Sequence, residues 1–389
     1  MDKRMSSALD DVRHLAGRIG PRGTGTTAEA AAADYVAQRL ADLGLTPEKH
    51  AIRSVPSQNI FPIAISLVAV LAALVYPLGW AVTRWLGGLF SLTACWLLWQ
   101  TIRNAQINLL MKLLPKVNSQ NIEARLEPKN EPCRKVVLLA HLDTNRCRLV
   151  WQSLAVRSIE PMTWLTLAIP FCMGMFYLAG SVLGGMLWWW LSLPLVAYEL
   201  GAIVTLIRDD RTPYSPGAHD NAASVAVALE VAARLSKTPP KNTQVWFVFD
   251  GAEETDHAGT LDLLHRRASE LREASFFGLE GLGSGELVYL TRQGICDHYR
   301  PSADLLAVAE SGASDHPEFE FHPAVMLAED DVRSLRGRGY RAIGIAGRDP
   351  QTGILPRWHR PDDTPDTVSG ETMQRAADIL CAMLEEIDR

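Results

Sequence analysis

The chain has 389 residues, with 38 Lys and Arg against 44 Asp and Glu, for a formal net charge of −6. That mildly acidic balance, without basic runs, excludes a nucleic-acid partner, because neutralising phosphates takes a positive stripe. Six cysteines, none in a C-x-x-C pair, are too sparse for a disulfide scaffold. Length suggests two or three domains, and the polar start MDKRMSSALDD is not read as a secretory signal peptide.

In chain order, residues 28–43 read as a helix with Val36, Leu40 and Leu43 on one face, behind a threonine-rich start suited to an N-cap. A first hydrophobic block covers 60–102 with Arg84 as its only charge. Residues 60–80 are long enough to cross a bilayer, and 85–102 lie near the lower limit of about 17–25 residues. A continuous apolar run at 136–140 reads as a strand buried on both faces. The second block, 161–207, breaks at 180–185 and carries only Glu199. Residues 221–235 form an alanine-rich helix, and 245–249 another buried strand. Shorter strands follow at 275–279, 287–291 and 341–346, and an amphipathic helix closes the chain at 371–387. Strands alternating with helices imply an α/β domain with a central, mostly parallel sheet covered on both faces.

Buried core helices would also be apolar, but spans this long with so few charges favour four transmembrane helices inserted as two hairpins. Trp80, Trp85, Trp96, Trp99 and Trp164 lie near span ends, as interfacial aromatics do. The domain layout is then an α/β domain in segments 1–59, 115–160 and 208–389, interrupted by hairpins 60–114 and 161–207. Each hairpin goes out and back, so the polar segments share one side of the membrane. Arg53, Arg103, Lys112, Lys116, Arg146, Arg148, Arg157, Arg208 and Arg211 flank the spans, whereas the hairpin tips carry Arg84 alone. Basic flanks favour the cytoplasmic side, and free cysteines fit that compartment. The lipid bilayer is thus an expected partner, and the hairpins are candidates for oligomerisation. Glu199, deep in the fourth span, is either functional or paired with polar atoms of the bundle.

In open α/β sheets chemistry collects at the carboxyl ends of strands. His141 and Asp143 follow the first buried strand, Glu253 and Glu254 the second, and Glu280 the third. Asp220 opens a helix, and His359 sits in Trp358-His359-Arg360-Pro361-Asp362-Asp363. Each has an ordinary alternative: a boundary histidine, an N-cap, a solvated loop. Together, two imidazoles and three carboxylates are the donor types of a carboxylate-bridged dinuclear zinc site.

These fragments, in order, resemble the co-catalytic zinc exopeptidase family that contains aminopeptidase Y, the glutamate carboxypeptidases and glutaminyl cyclase. Ile19-Gly-Pro-Arg-Gly-Thr-Gly resembles that family's opening, His141-x-Asp143 its first ligand and the carboxylate beneath it, and Gly217-Ala-His-Asp220-Asn221 its bridging aspartate. Glu253-Glu254 resembles its general base and next ligand, Glu280 falls at the following acidic ligand, and His359 with Pro361-Asp-Asp-Thr at the last. The chain departs from the family in having Glu280 where Asp is frequent, Thr255 where a glycine follows the paired glutamates, and His219 before the bridging aspartate, read as a support of the ligands. Ser314-Asp315-His316 and Asp330-Asp331 both resemble a further fragment, and the residues do not choose between them.

The resemblance implies a zinc-exopeptidase-like three-layer fold and a metallo-exopeptidase, most simply an aminopeptidase. Two zinc ions would be held by His141, Asp220, Glu254, Glu280 and His359, with Asp220 bridging. Glu253 would be the general base, and Asp143 would hydrogen-bond the other nitrogen of His141. The second hairpin leaves soon after His141 and returns soon before Asp220, so the expected substrate is a peptide, hydrophobic or membrane-associated, reached at a mouth bordering the bilayer. Glutaminyl cyclisation or hydrolysis of an N-acyl amino acid is the alternative chemistry, and an inactive membrane scaffold or receptor the alternative class. A zinc transporter fits less well, since the spans hold almost no polar ligands. Residues 292–325 carry no readable pattern and are expected to shape the specificity pocket.

Overall fold

The computed structural model describes residues 3–103, 113–148 and 158–389; Lys112 and Arg157, two of the basic flanks, lie outside them. The chain forms two compact units. One comprises Met1–Ser54, Lys116–Cys147 and Pro213–Arg389, the other Val55–Pro115 and Arg148–Thr212.

The first unit is built on eight strands: β1 (Glu48–Ser54), β2 (Val117–Leu126), β3 (Arg134–His141), β4 (Thr243–Asp250), β5 (Ser275–Glu280), β6 (Glu286–Arg292), β7 (Phe321–Val325) and β8 (Arg341–Arg348). They lie in the order β1-β2-β4-β3-β5-β8-β6-β7. The central pairs β4/β3, β3/β5 and β5/β8 are parallel. The unbroken apolar runs in β3 and β4 have the physical cause anticipated: alternate residues feed two cores. Val136, Leu138, Val245, Phe247 and Phe249 pack with helices Thr27–Asp42, Ser224–Lys237 and Gly370–Asp388. Val137, Leu139, Trp246 and Val248 pack with Leu263, Leu264, Val332 and Leu335, from helices Ala258–Arg266 and Asp331–Gly337. Thr26 caps its helix by accepting from the Glu29 N–H at 3.2 Å, as the threonine-rich start suggested.

Both insertions leave the first unit at places where the chain meets itself. Ser54 is paired with Val117 at the end of the antiparallel β1/β2 ladder. At the second, the Cys147 N–H donates to Pro213 O at 2.8 Å and the Ser215 N–H to Asn145 O at 2.8 Å. Sequence reading passed over β1 and β2 because their edge-side runs, EKHAIRS and VNSQNIEARL, are dominated by polar residues.

Among its described residues the second unit contains four helices long and apolar enough to cross a membrane: Ile60–Leu78, Ala81–Ile102, Ile159–Leu183 and Leu187–Asp209. Large apolar side chains cover their outward faces, among them Leu67, Leu71, Phe171, Met175 and Trp190. Inside, small residues allow close approach, as is common between membrane helices. A Cβ at Gly88 would fall 2.7 Å from Leu178, and one at Gly174 2.7 Å from Leu92. The break expected from 180 falls later, after Leu183; Gly180 stays helical, and a Cβ there would clash with Tyr76 Oη. Glu199 is buried, with the buried hydroxyl of Ser66 as a polar neighbour, which favours the paired reading of that residue.

Candidate metal centre

The sheet brings three acidic or imidazole side chains to one edge. His141, Asp250 and Glu280 are the final residues of the adjacent strands β3, β4 and β5. Glu253 and Glu254 follow β4 in a tight loop whose Ala252, Asp256 and His257 all have positive φ. Asp220 lies in a wide, irregular turn, Ala218–Ala223, with φ −113° and ψ 84° and a cis peptide to Asn221. Its helix-capping alternative is not what the structure shows: Asp220 is outside helical geometry, and no side chain caps the helix that follows. His359 comes from the loop before the last helix, with its ring 4.9 Å from that of Trp358.

All five ligand candidates converge. His141 Nε2 is 3.2 Å from Asp220 Oδ1 and 3.4 Å from Glu280 Oε2. His359 Nε2 is 3.2 Å from Asp220 Oδ2 and 3.0 Å from Glu254 Oε1. His141, Asp220 and Glu280 form one group, and Asp220, Glu254 and His359 another, each with ligand atoms within 4.8 Å of one another. Asp220 is common to both. Ligands about 2.0–2.1 Å from a tetrahedral zinc are separated by about 3.3 Å, so these spacings match the donor set. Asp220 Oδ2 is buried and accepts no hydrogen bond of good geometry, as an oxygen reserved for a cation would be.

Charge supports the same fit. Burial opposes protonation of His141, yet Glu280, Asp143 and Asp220 hold its ring well above the usual imidazole range. Burial also works against His359, and Glu254 with Asp220 lifts it to about 9. Burial pushes Glu253 up to about 7 and Glu280 well above the carboxylate range. Burial would raise Asp220 as well, but the two imidazoles pull it well below its ordinary value. A pocket negative enough to hold protons on two buried imidazoles is one where divalent cations compete with those protons.

Asp143 takes a different position from the one anticipated. His141 Nδ1 donates to the backbone carbonyl of Asp143 at 3.0 Å, whereas the carboxylate stands 3.6 Å away. A carbonyl can only accept, so Nδ1 carries the proton and Nε2 faces Asp220 and Glu280. The Asp143 carboxylate instead accepts from Thr24 Oγ1 at 2.7 Å and from the Glu253 and Glu254 N–H groups at 3.1 and 3.3 Å. It fixes the loop that carries the paired glutamates.

Further supports surround the ligand candidates, of which His219 and Asp330 stand out in the sequence. Asn145 Nδ2 donates to Glu254 Oε2 at 2.7 Å. Asp363 accepts from the His219 N–H and from its Nδ1 at 2.8 and 2.7 Å, and from the Asp220 N–H at 3.3 Å, so His219 braces the turn of Asp220 through Asp363. Glu29, N3 of its helix, accepts from the N–H groups of Gly25 and Ala252 at 2.7 and 3.2 Å. Asp330 is buried beside the site, accepting from Gln293 Nε2 and Tyr299 Oη, whereas Asp315 and His316 lie at a helix end with Asp315 exposed. Of the two fragments, Asp330-Asp331 is the one that borders the cavity.

Arg22, inside the opening motif, ties these loops together. Its fully buried guanidinium donates to the carbonyls of Leu142, Leu15, Pro216 and Gly217 at 2.9 Å and of Gly20 at 3.1 Å. Burial pulls it down to about 10 although Asp363, Asp220 and Asp143 favour its charge. Arg22→Met takes a donor from five carbonyls, of which Leu15 and Gly217 keep the N–H groups of Gly20 and Ala222, and is expected to destabilise the fold by about 3 kcal/mol or more. Thermal unfolding of the purified variant checks this, and an unchanged midpoint would contradict the clamp.

The cavity at the site is lined by His141, Asp220, Glu253, Glu254 and Glu280 and walled by Met326, Ala328, Glu329, Asp330, Leu355 and Trp358. Its wall therefore begins just beyond the stretch 292–325 expected to shape it. That stretch instead forms strand β7 and helix Ala303–Asp315, with Leu305, Ala309 and Phe321 packed into the core.

A Zn-dependent exopeptidase from Parabacteroides distasonis ATCC 8503 superposes with a TM-score of 0.58 at 16% identity, covering 99% of this chain and 97% of that one. The first unit thus has the zinc-exopeptidase fold the motifs implied. Residues 209–384 match the family model described as Peptidase family M28, bearing out the resemblance read from the sequence. Over 194 residues the chain is 29% identical to aminopeptidase YwaD of Bacillus subtilis (strain 168), covering 46% of this chain and 39% of that protein. Over 197 residues it is 32% identical to endoplasmic reticulum metallopeptidase 1 of Mus musculus, covering 48% of this chain and 20% of that protein. The matched regions thus span about two fifths and one fifth of these relatives.

Proposed function

We propose that this chain is a membrane-embedded, zinc-dependent exopeptidase acting as an aminopeptidase. The observation that carries this reading is Asp220, which belongs to both ligand groups. His141, Asp220 and Glu280, and Asp220, Glu254 and His359, would hold zinc, which would supply a water of lowered pKa and a Lewis acid for the scissile carbonyl. Glu253 takes the proton of the attacking water and delivers it to the leaving amine. The Asp143 carbonyl keeps the proton of His141 on Nδ1, and the Asp143 carboxylate holds the Glu253–Glu254 backbone so that both side chains reach inward.

The substrate is a peptide with an apolar N-terminal residue. Met326, Ala328, Leu355 and Trp358 offer an apolar wall beside the ligands. The covalent tether of hairpin 161–207, between His141 and Asp220, points to hydrophobic or membrane-associated peptides. Basic residues around the spans support a cytoplasmic position for the catalytic unit.

The test is metal analysis of the detergent-purified chain beside a panel of aminoacyl amides, N-terminal glutaminyl peptides and acyl amino acids. Expected are about two zinc ions per chain, cleavage of aminoacyl amides with apolar side chains, its loss on chelation and its return with zinc. A single zinc with glutaminyl cyclisation transfers the chain to the cyclase chemistry. A chain that binds no metal and turns over none of the panel is a scaffold, and the enzyme reading falls.

A further inference from the structure

We propose that His257, backed by Asp331, is a positioning residue that sets the carboxylate of Glu253 for proton transfer. The inference rests on the reading of Glu253 as the base. His257 Nδ1 lies 3.0 Å from Glu253 Oε1 and 3.4 Å from Asp331 Oδ1, and all three residues are buried. Among the described residues neither His257 Nδ1 nor Asp331 Oδ1 makes a hydrogen bond of good geometry, so these close ion-pair contacts are what each buried atom has.

The backbone is arranged to make the contact. His257 has φ +53°, a conformation few side chains adopt, and its N–H donates to the Glu253 carbonyl at 2.9 Å. The Ala258 N–H donates to the Ala252 carbonyl at 3.0 Å, closing the same turn. This tight loop folds the imidazole back over the residue four positions earlier. On the other side, Asp331 opens the helix Asp331–Gly337, whose cap Asp330 accepts from the Val332 N–H at 3.0 Å and is itself held by Gln293 and Tyr299. The ring is therefore pinned between a loop and a rigid helix end.

The chemical consequence follows from the two oxygens of Glu253. With Oε1 engaged by His257, Oε2 is the oxygen left to receive the water proton. A freely rotating carboxylate spends time away from the reacting geometry, and misplacement by about 1 Å costs up to about 100-fold in rate. His257 removes that freedom without touching substrate or metal.

The experiment uses the full detergent-purified, zinc-loaded chain and an aminoacyl amide. His257→Leu is expected to lower kcat about 10–100-fold with zinc content unchanged, leaving KM close to wild type. His257→Asn places an amide nitrogen near the Nδ1 position and tolerates positive φ, and it restores most of the lost turnover. Asp331→Asn gives a smaller fall of the same kind. A second readout is independent of turnover. In a thermal-unfolding cycle, Glu253→Gln and His257→Leu combined shift the midpoint by about 2 °C less than the sum of the single shifts.

Equal kcat losses in the Leu and Asn variants, additive midpoint shifts, or loss of a zinc ion with His257 would each overturn the proposal, the last by making His257 a ligand. If the wild-type chain hydrolyses nothing, the exopeptidase reading fails. The thermal cycle then still decides whether His257 grips Glu253.

Discussion

Glu253→Gln is expected to keep its zinc and its fold while kcat falls by about 10²–10⁴-fold, the range for losing a positioned general base. The substitution is nearly isosteric. The Glu253 N–H, which donates to Asp143 at 3.1 Å, is untouched, so the loop holding Glu254 stays in place. What disappears is a buried carboxylate that burial holds near about 7, able to take a proton and return it. Turnover and elemental analysis on one preparation check the expectation. Glu253 also lies within 4.8 Å of the ligand atoms of His141 and Glu254, which gives the measurement its edge. If zinc leaves together with activity, Glu253 is a ligand and the proton passes elsewhere.

Asp220→Ala is expected to disturb both ligand groups at once, whereas loss of Glu280 or His359 disturbs one. Removing Asp220 takes an oxygen from beside His141 Nε2 and another from beside His359 Nε2. Zinc affinity should fall beyond the about 10–100-fold typical of losing an outer-shell partner, and turnover should vanish with it. The Asp363 contacts to the His219 backbone and ring remain to hold the turn, so the fold is expected to survive. Equilibrium dialysis against zinc buffers, beside Glu280→Ala and His359→Ala, gives the comparison. Wild-type stoichiometry in Asp220→Ala would sink the shared-ligand reading.

How much of this was legible in the sequence follows from what each residue must do. His141, Glu280 and the paired glutamates stand out because they end apolar strands, and a polar group there has no packing reason to exist. The two-sided burial of β3 and β4 was legible for the same reason, from unbroken runs such as Val-Trp-Phe-Val-Phe. The carboxylate of Asp143 was misplaced because spacing indicates neighbourhood but not rotamer. A turn residue can meet its histidine through the carbonyl as readily as through the side chain, and here the carbonyl wins. Arg22 and Asp363 act by bonding backbone groups brought close only by tertiary folding. No periodicity marks such a residue. His257 looked like ordinary loop composition, since only its positive φ turns it back onto Glu253. The edge strands β1 and β2 were hidden by their polar content, and helix Ala303–Asp315 by short, weakly patterned apolar positions.

The two closed necks have a consequence for how this architecture tolerates change. At Ser54 and Val117, and again where Asn145 and Cys147 meet Pro213 and Ser215, the strand ends are fastened before the chain departs. Loop closure is completed locally, so the residues beyond each neck set no register in the sheet, and lengthening them costs little entropy. Hairpins of other lengths can be accommodated without displacing a single ligand candidate. What such a change cannot alter is Asn145, which sits in the second neck and holds Glu254 directly. Drift in the hairpins is cheap; drift in their collars is not.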